Sequence, residues 1–177
     1  MLNMPYAILP LQNGETVPVP NPWANGNAWF VDEICYVPDA DTEIKALHGL
    51  DTKHAAVADQ RFLTVLGEAT KDTNATATLT QYGANELHYT VQNERAGILV
   101  FSEVYYPSWT CLVDGKEIEL GRVNYILRAA RLEPGTHDVV LRFFPQTIQT
   151  TERVAYGALA ALAALLLLAL GLWMKER

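Results

Sequence analysis

Basic residues are in short supply: 13 Lys and Arg stand against 20 Asp and Glu, for a formal charge of -7 and a pI near 5.0. They form no cluster, which excludes the electrostatic footprint of a nucleic-acid-binding protein. Cysteine is scarcer still. Cys35 and Cys111 each lie among apolar neighbours (ICYV and WTCLV), so two buried free thiols are the simplest expectation, and a single bridge would require an oxidising compartment. The chain lacks C-x-x-C, H-E-x-x-H and G-x-S-x-G patterns, and His48 and His54 are six apart with Gly49 between them, a spacing that does not share a helical face. No metal, cofactor or catalytic residue is therefore assigned. The opening MLNMPYAILP has neither a basic stretch nor a small-residue cleavage site, so it does not read as a signal peptide.

What is abundant is apolar sequence at one end. Val154 to Met174 reads VAYGALAALAALLLLALGLWM without a charge. As a helix this run is about 30 Å long, the thickness of a bilayer's hydrocarbon core. Glu152 and Arg153 close it on one side and Lys175, Glu176 and Arg177 on the other, while Tyr156 and Trp173 occupy the places of interfacial aromatics. A charge-free run of this length exceeds what a soluble core helix uses. One Lys or Arg before the run and two after it favour, by a single charge, a cytoplasmic C-terminus.

The roughly 150 residues before the run suffice for one domain with its own core. Tyr6 to Leu11 reads as a strand or the end of a preceding element, and the proline-rich VPVPNPWANGN after it as an extended loop. AWFVDEICYV reads as a single strand closed by Pro38. Asp39 or Asp41 can cap a short helix over TEIKALHGL, the one helix expected outside the apolar run. From Thr73 the period becomes two. Thr76 to Tyr82 and Asn85 to Gln92 read as partner strands, and Gly97 to Tyr106, apolar almost throughout, as a central strand covered on both faces. Asp114-Gly115 in WTCLVDGKEIEL suits the positive φ angles of a two-residue hairpin turn. RVNYILRAARL reads as one strand with Arg122, Asn124, Ile126 and Arg128 on one parity, and THDVVLRFFP as the last strand. The fold class expected is mainly β: an antiparallel β-sandwich with a small N-terminal αβ segment, followed by one C-terminal transmembrane helix. The division expected is 1–72 for the αβ segment, 73–151 for the sandwich and 152–177 for the helix and a short tail.

FSEVYYPSWTCLVDG concentrates Glu103, Tyr105, Tyr106, Trp109 and Asp114 within twelve residues. Aromatics beside acids form the stacking platforms of sugar-binding β-sandwiches, and they also form core clusters at strand junctions. Arg122, Asn124 and Arg128 would add a polar face whose arginines pair with Glu103 or Asp114, or reach anionic groups. These eight residues are the candidate ligand-binding set.

GNAWFV, SEVYYPSWTCLVDGKE, RVNYILRA and PGTHDVVLRFFP, leading into an apolar helix, together resemble the C-terminal part of YfhO-type bacterial membrane proteins. Those proteins are polytopic relatives of glycosyltransferases that use lipid-linked sugars. The resemblance implies that the chain is a piece of a longer protein and that its β-rich domain is extracytoplasmic. It also implies that the acidic catalytic residue of such transferases lies outside this sequence. The expected partners are the lipid bilayer, the remaining transmembrane helices of a parent protein and a glycan or polyprenyl-phosphate-linked sugar, with no nucleic acid. A purely structural domain and an autonomous tail-anchored interaction protein are the competing expectations.

Overall fold

The computed structural model describes residues 1–12 and 14–175, so Glu176 and Arg177, expected to close the apolar run, lie outside the described residues. Two compact units divide the chain, residues 1–143 and 144–177.

The first unit is built on two antiparallel sheets. Strands β1 (Tyr6–Pro10) and β2 (Thr16–Pro20) form a separate ribbon at the start, followed by β3 (Ala28–Val31) and β4 (Glu33–Val37). Helix α1 (Ala40–Ala46), β5 (Ala55–Asp59), a 3-10 turn (Gln60–Phe62) and the short helix α2 (Leu63–Leu66) come next. The remaining strands are β6 (Thr76–Tyr82), β7 (Glu86–Asn93), β8 (Gly97–Val104), β9 (Trp109–Val113), β10 (Lys116–Ile118), β11 (Gly121–Val123), β12 (Leu127–Leu132) and β13 (Gly135–Phe143). One sheet has the order β10-β9-β13-β7-β6 and the other β11-β12-β8-β3.

Alternation along the strands explains why these sheets stack. Leu87, Tyr89 and Val91 of β7 share one face and enter the same core as Val139 and Leu141 of β13 and Leu99 and Phe101 of β8. Tyr89 and Phe101 meet edge to face across it at 5.2 Å. The intervening residues of β8, Ile98 and Val100, point the other way into a second core with Ala56, Ala58, Phe62 and Leu66. Strand β8 is thus buried on both sides, as its continuous apolar sequence requires. The second core is covered by the parallel pair β4-β5 and the short helices. Gly121 is placed there by necessity, because a Cβ at that position would lie 2.5 Å from Leu66 Cγ.

Three local readings of the sequence are corrected. AWFVDEICYV is two strands, since Asp32 interrupts it and donates its N–H to His54 O at 2.7 Å, sending β3 and β4 to different sheets. The proline-rich stretch holds a strand, because Pro18 and Pro20 fall at ladder positions that need no donor. RVNYILRAARL is a hairpin: Asn124 and Tyr125 take positive φ of 51° and 70°, so β11 folds back on β12 and Arg122 faces Arg128 across the pair. The helices after β5 were also not anticipated. The Asp114-Gly115 turn forms as expected, with φ of 52° and 78°, and Asp39 caps α1 by accepting from Thr42 N at 2.8 Å.

The second unit consists mainly of helix α3 (Gln146–Lys175), whose mean hydropathy over its most apolar window is 2.3 and which is long enough to cross a membrane. Gln146 to Thr151 form its first turn and a half. Thr150 and Thr151 donate their hydroxyls to the carbonyls of Gln146 and Thr147, which satisfies polar groups as the helix begins.

Candidate functional site

The eight candidate residues do not form one site. They fall into an aromatic cleft, a buried polar node and a hairpin clasp.

The cleft, about 200 Å³ in volume, is lined by Tyr105, Tyr106 and Trp109, with Glu117, Glu119 and Leu120 among the residues beside them. The connection from β8 to β9 creates it. Pro107 and Ser108 turn the chain there, Ser108 in the left-handed region at φ 77°, an uncommon conformation for a residue with a Cβ. Tyr105 is held from both sides: its N–H donates to Ile126 O at 2.6 Å and its ring meets Phe62 edge-on at 5.9 Å. Tyr106 is 61% exposed and lies 6.2 Å from the ring of Phe143, which in turn lies 5.3 Å from Trp109. Phe143 joins this set because β13 pairs with β9 in a register that puts it opposite Trp109.

Beneath the aromatics sits Arg128, only 3% exposed, with its guanidinium 3.8 Å from the centre of the Trp109 ring. Its Nε donates to Val104 O at 2.9 Å, while Nη1 has no hydrogen-bond partner. Burial pulls the Arg128 pKa below its usual value, and the nearby charge of Glu103 offsets part of that pull. An arginine remains charged under such a shift. Glu103 and Arg128 thus act on each other through space, without a direct ion pair.

Arg122 and Asn124 belong elsewhere. Glu43 of α1, fully buried, accepts from Arg122 Nη2 at 2.6 Å and from Tyr125 N at 2.7 Å. Asn124 Oδ1 accepts from Val57 N at 2.9 Å, and Asn124 N donates to Val57 O at 2.7 Å. The pair of bonds stitches the β11-β12 turn to β5 in place of a neighbouring strand. The expected pairing of Arg122 with Glu103 or Asp114 is therefore overturned, and the single polar face expected of 122–128 is absent because the segment doubles back. Glu43 was missed by sequence reasoning. One acidic residue in the first turn of a short helix carries no signal of burial, and its partners are 79 and 82 residues away.

Asp114 pairs with His137, at 2.7 Å from Nδ1, and accepts from Asp138 N at 2.9 Å. The hydrogen bond with Asp114 raises the pKa of His137, and the same bond lowers that of Asp114. This clasp fixes the β9-β10 turn against β13. Cys111 is buried in the main core, where burial pushes its thiol up to about 12, while Cys35 is exposed; both are free. Among the described residues no group of three or more His, Cys, Asp or Glu is placed to hold a metal ion.

The family model described as "Bacterial membrane protein YfhO" matches residues 51–153, more than half of the 177 residues. The matched stretch runs from β5 through β13 and into the start of α3, so it contains the cleft and most of both sheets. Comparison with curated proteins and with solved structures found no match in either case. The chain belongs to the YfhO family of bacterial membrane proteins.

Proposed function

We propose that this YfhO-family chain is a non-catalytic, extracytoplasmic module of a polytopic membrane protein that acts in cell-envelope glycosylation, and that its cleft binds a glycan or a lipid-linked acceptor. The observation that carries the reading is the cleft itself. It combines exposed Tyr106 and half-buried Trp109 with the carboxylates of Glu117 and Glu119 along one wall. Aromatic rings accept the apolar faces of pyranoses, and carboxylates accept hydrogen bonds from their hydroxyls. No histidine or cysteine is among the residues that line the cleft.

Of the candidate set, Tyr105, Tyr106 and Trp109 are assigned to the cleft. Arg128 supports it from beneath, with the charge of Glu103 acting on Arg128, while Arg122, Asn124 and Asp114 serve the structure of the domain. A second reading, a structural domain without ligand, draws on the stacking of Trp109 between core residues and Arg128. Titrating the full chain in nanodiscs with cell-wall glycan fragments, against a Tyr106→Ala variant, separates the two. Saturable binding that weakens in the variant at unchanged melting temperature supports the module. Absence of binding to any fragment favours the structural domain. The extracytoplasmic placement is tested independently with a Lys116→Cys, Cys35→Ser variant and a membrane-impermeant maleimide, which should label intact cells.

A further inference from the structure

The β1-β2 ribbon is a two-stranded hairpin with every residue of both strands exposed. Such ribbons are marginal in water unless a face is covered. Its side chains are nevertheless apolar on both faces: Tyr6 and Ile8 on one, Leu9, Leu11, Val17 and Val19 on the other. No Asp, Glu, Lys or Arg occurs from Met1 to Gly14. The base of the ribbon is anchored, since Asn21 N donates to Pro5 O at 2.8 Å and Asn3 Nδ2 to Asn27 Oδ1 at 2.7 Å.

The register reveals a second property. Leu11 N donates to Glu15 O and Asn21 N to Pro5 O, which places the inward-bonding residues at odd positions on both strands. The outward N–H positions are therefore Tyr6, Ile8 and Pro10 on β1 and Thr16, Pro18 and Pro20 on β2. Half of them are prolines and have no N–H to leave unsatisfied. Removing edge donors discourages pairing with another strand, so a second copy adding at the edge is disfavoured. It also lowers the cost of leaving water, where each unpaired backbone donor is expensive. At the foot of the ribbon Trp23 is 78% exposed, and Lys53 Nζ lies 5.9 Å from its ring. An aromatic ring beside a lysine is the pairing that membrane interfaces favour.

We infer that the β1-β2 ribbon, with Trp23 and Lys53 at its base, is a second membrane contact of this chain, seated in the interfacial zone of a lipid bilayer. A protein partner would cover one face of a ribbon, whereas a lipid environment accepts apolar side chains on both. The interfacial zone, some 5–10 Å deep, also leaves water within reach of the outward carbonyls and of the tip, where Gln12 and the charged Glu15 are exposed. Insertion is driven by apolar area and not by charge, in keeping with an acidic chain.

The test uses the full chain reconstituted in phosphatidylcholine vesicles, with Cys35→Ser to remove the exposed thiol. An environment-sensitive fluorophore is attached at Leu9→Cys or, in a separate sample, at Lys116→Cys in the β9-β10 hairpin. We expect the Leu9 label to emit at shorter wavelength than the Lys116 label. It should lose most of its intensity to nitroxide carried on the upper acyl chain and little to aqueous iodide. Quenching by iodide at both sites would overturn the inference. So would a blue-shifted Leu9 label indifferent to lipid-borne nitroxide, which would place the ribbon against protein. A Trp23→Cys label quenched by lipid nitroxide while the Leu9 label is not would confine the contact to the base and would also overturn it.

Discussion

The aromatic cleft and the buried node of Glu43, Arg122 and Asn124 solve opposite problems. At the node, polar groups have been taken out of water and bonded to one another, which joins α1 and β5 to the β11-β12 turn and leaves Arg122 Nε and Asn124 Nδ2 without a hydrogen-bond partner. At the cleft, aromatic surface has been left partly in water, supported from below by a buried guanidinium. The Glu43 carboxylate and Asn124 Oδ1 are committed to partners within the domain. The cleft keeps ring faces and the exposed carboxylates of Glu117 and Glu119 at its surface. Residue type alone does not separate the two regions, whereas partners do: Arg122 bonds to Glu43 and Asn124 to Val57.

The sharpest way to break this contrast is Glu43→Ala. It strands a buried guanidinium and the Tyr125 N–H together, and should cost about 3–5 kcal/mol in denaturant unfolding of the full chain in nanodiscs. Trp109→Ala follows. Because the ring is half-buried against Phe143 and Arg128, truncation should cost about 2–3 kcal/mol, less than for a fully buried tryptophan. Asn124→Ala removes the acceptor for Val57 N and puts a residue less suited to positive φ in the turn, for about 2 kcal/mol by the same measurement. Tyr106→Ala should change stability by less than about 0.5 kcal/mol, since the ring is mostly exposed. Loss of its stacking would weaken glycan binding by at most about tenfold in titration calorimetry. A large loss of stability in this variant would assign Tyr106 to the core and collapse the distinction.

The smallest effect is in the hairpin clasp. His137 has a raised pKa, so its contribution is complete below about pH 6.5 and is lost as the pH rises through the raised value. Asp114 has a lowered pKa, so its contribution is complete above about pH 4 and is lost as the pH falls through the lowered value. The clasp is thus strongest between about pH 4 and 6.5. Melting temperatures of the parent and of His137→Gln, compared across pH 4 to 9, should converge at the alkaline end. A constant difference across the range would show that the clasp does not titrate.

The sequence by itself determined the apolar helix, the Asp114-Gly115 turn, the two-faced burial of β8 and the partnership of β6 with β7. Each rests on local properties: run length, the φ preference of one dipeptide, or the period of side chains along a single strand. It also brought Tyr105, Tyr106 and Trp109 into consideration together, because they are neighbours along the chain. Only the tertiary structure decided that Asp32 splits β3 from β4, that β4 pairs in parallel with β5, and that Asn124 and Tyr125 reverse the chain. It alone brought Glu43 to Arg122, Phe143 to Trp109 and Asp114 to His137. Those choices depend on which polar groups find partners once the sheets have stacked, and a buried charge or an unpaired amide is settled by residues far away in sequence.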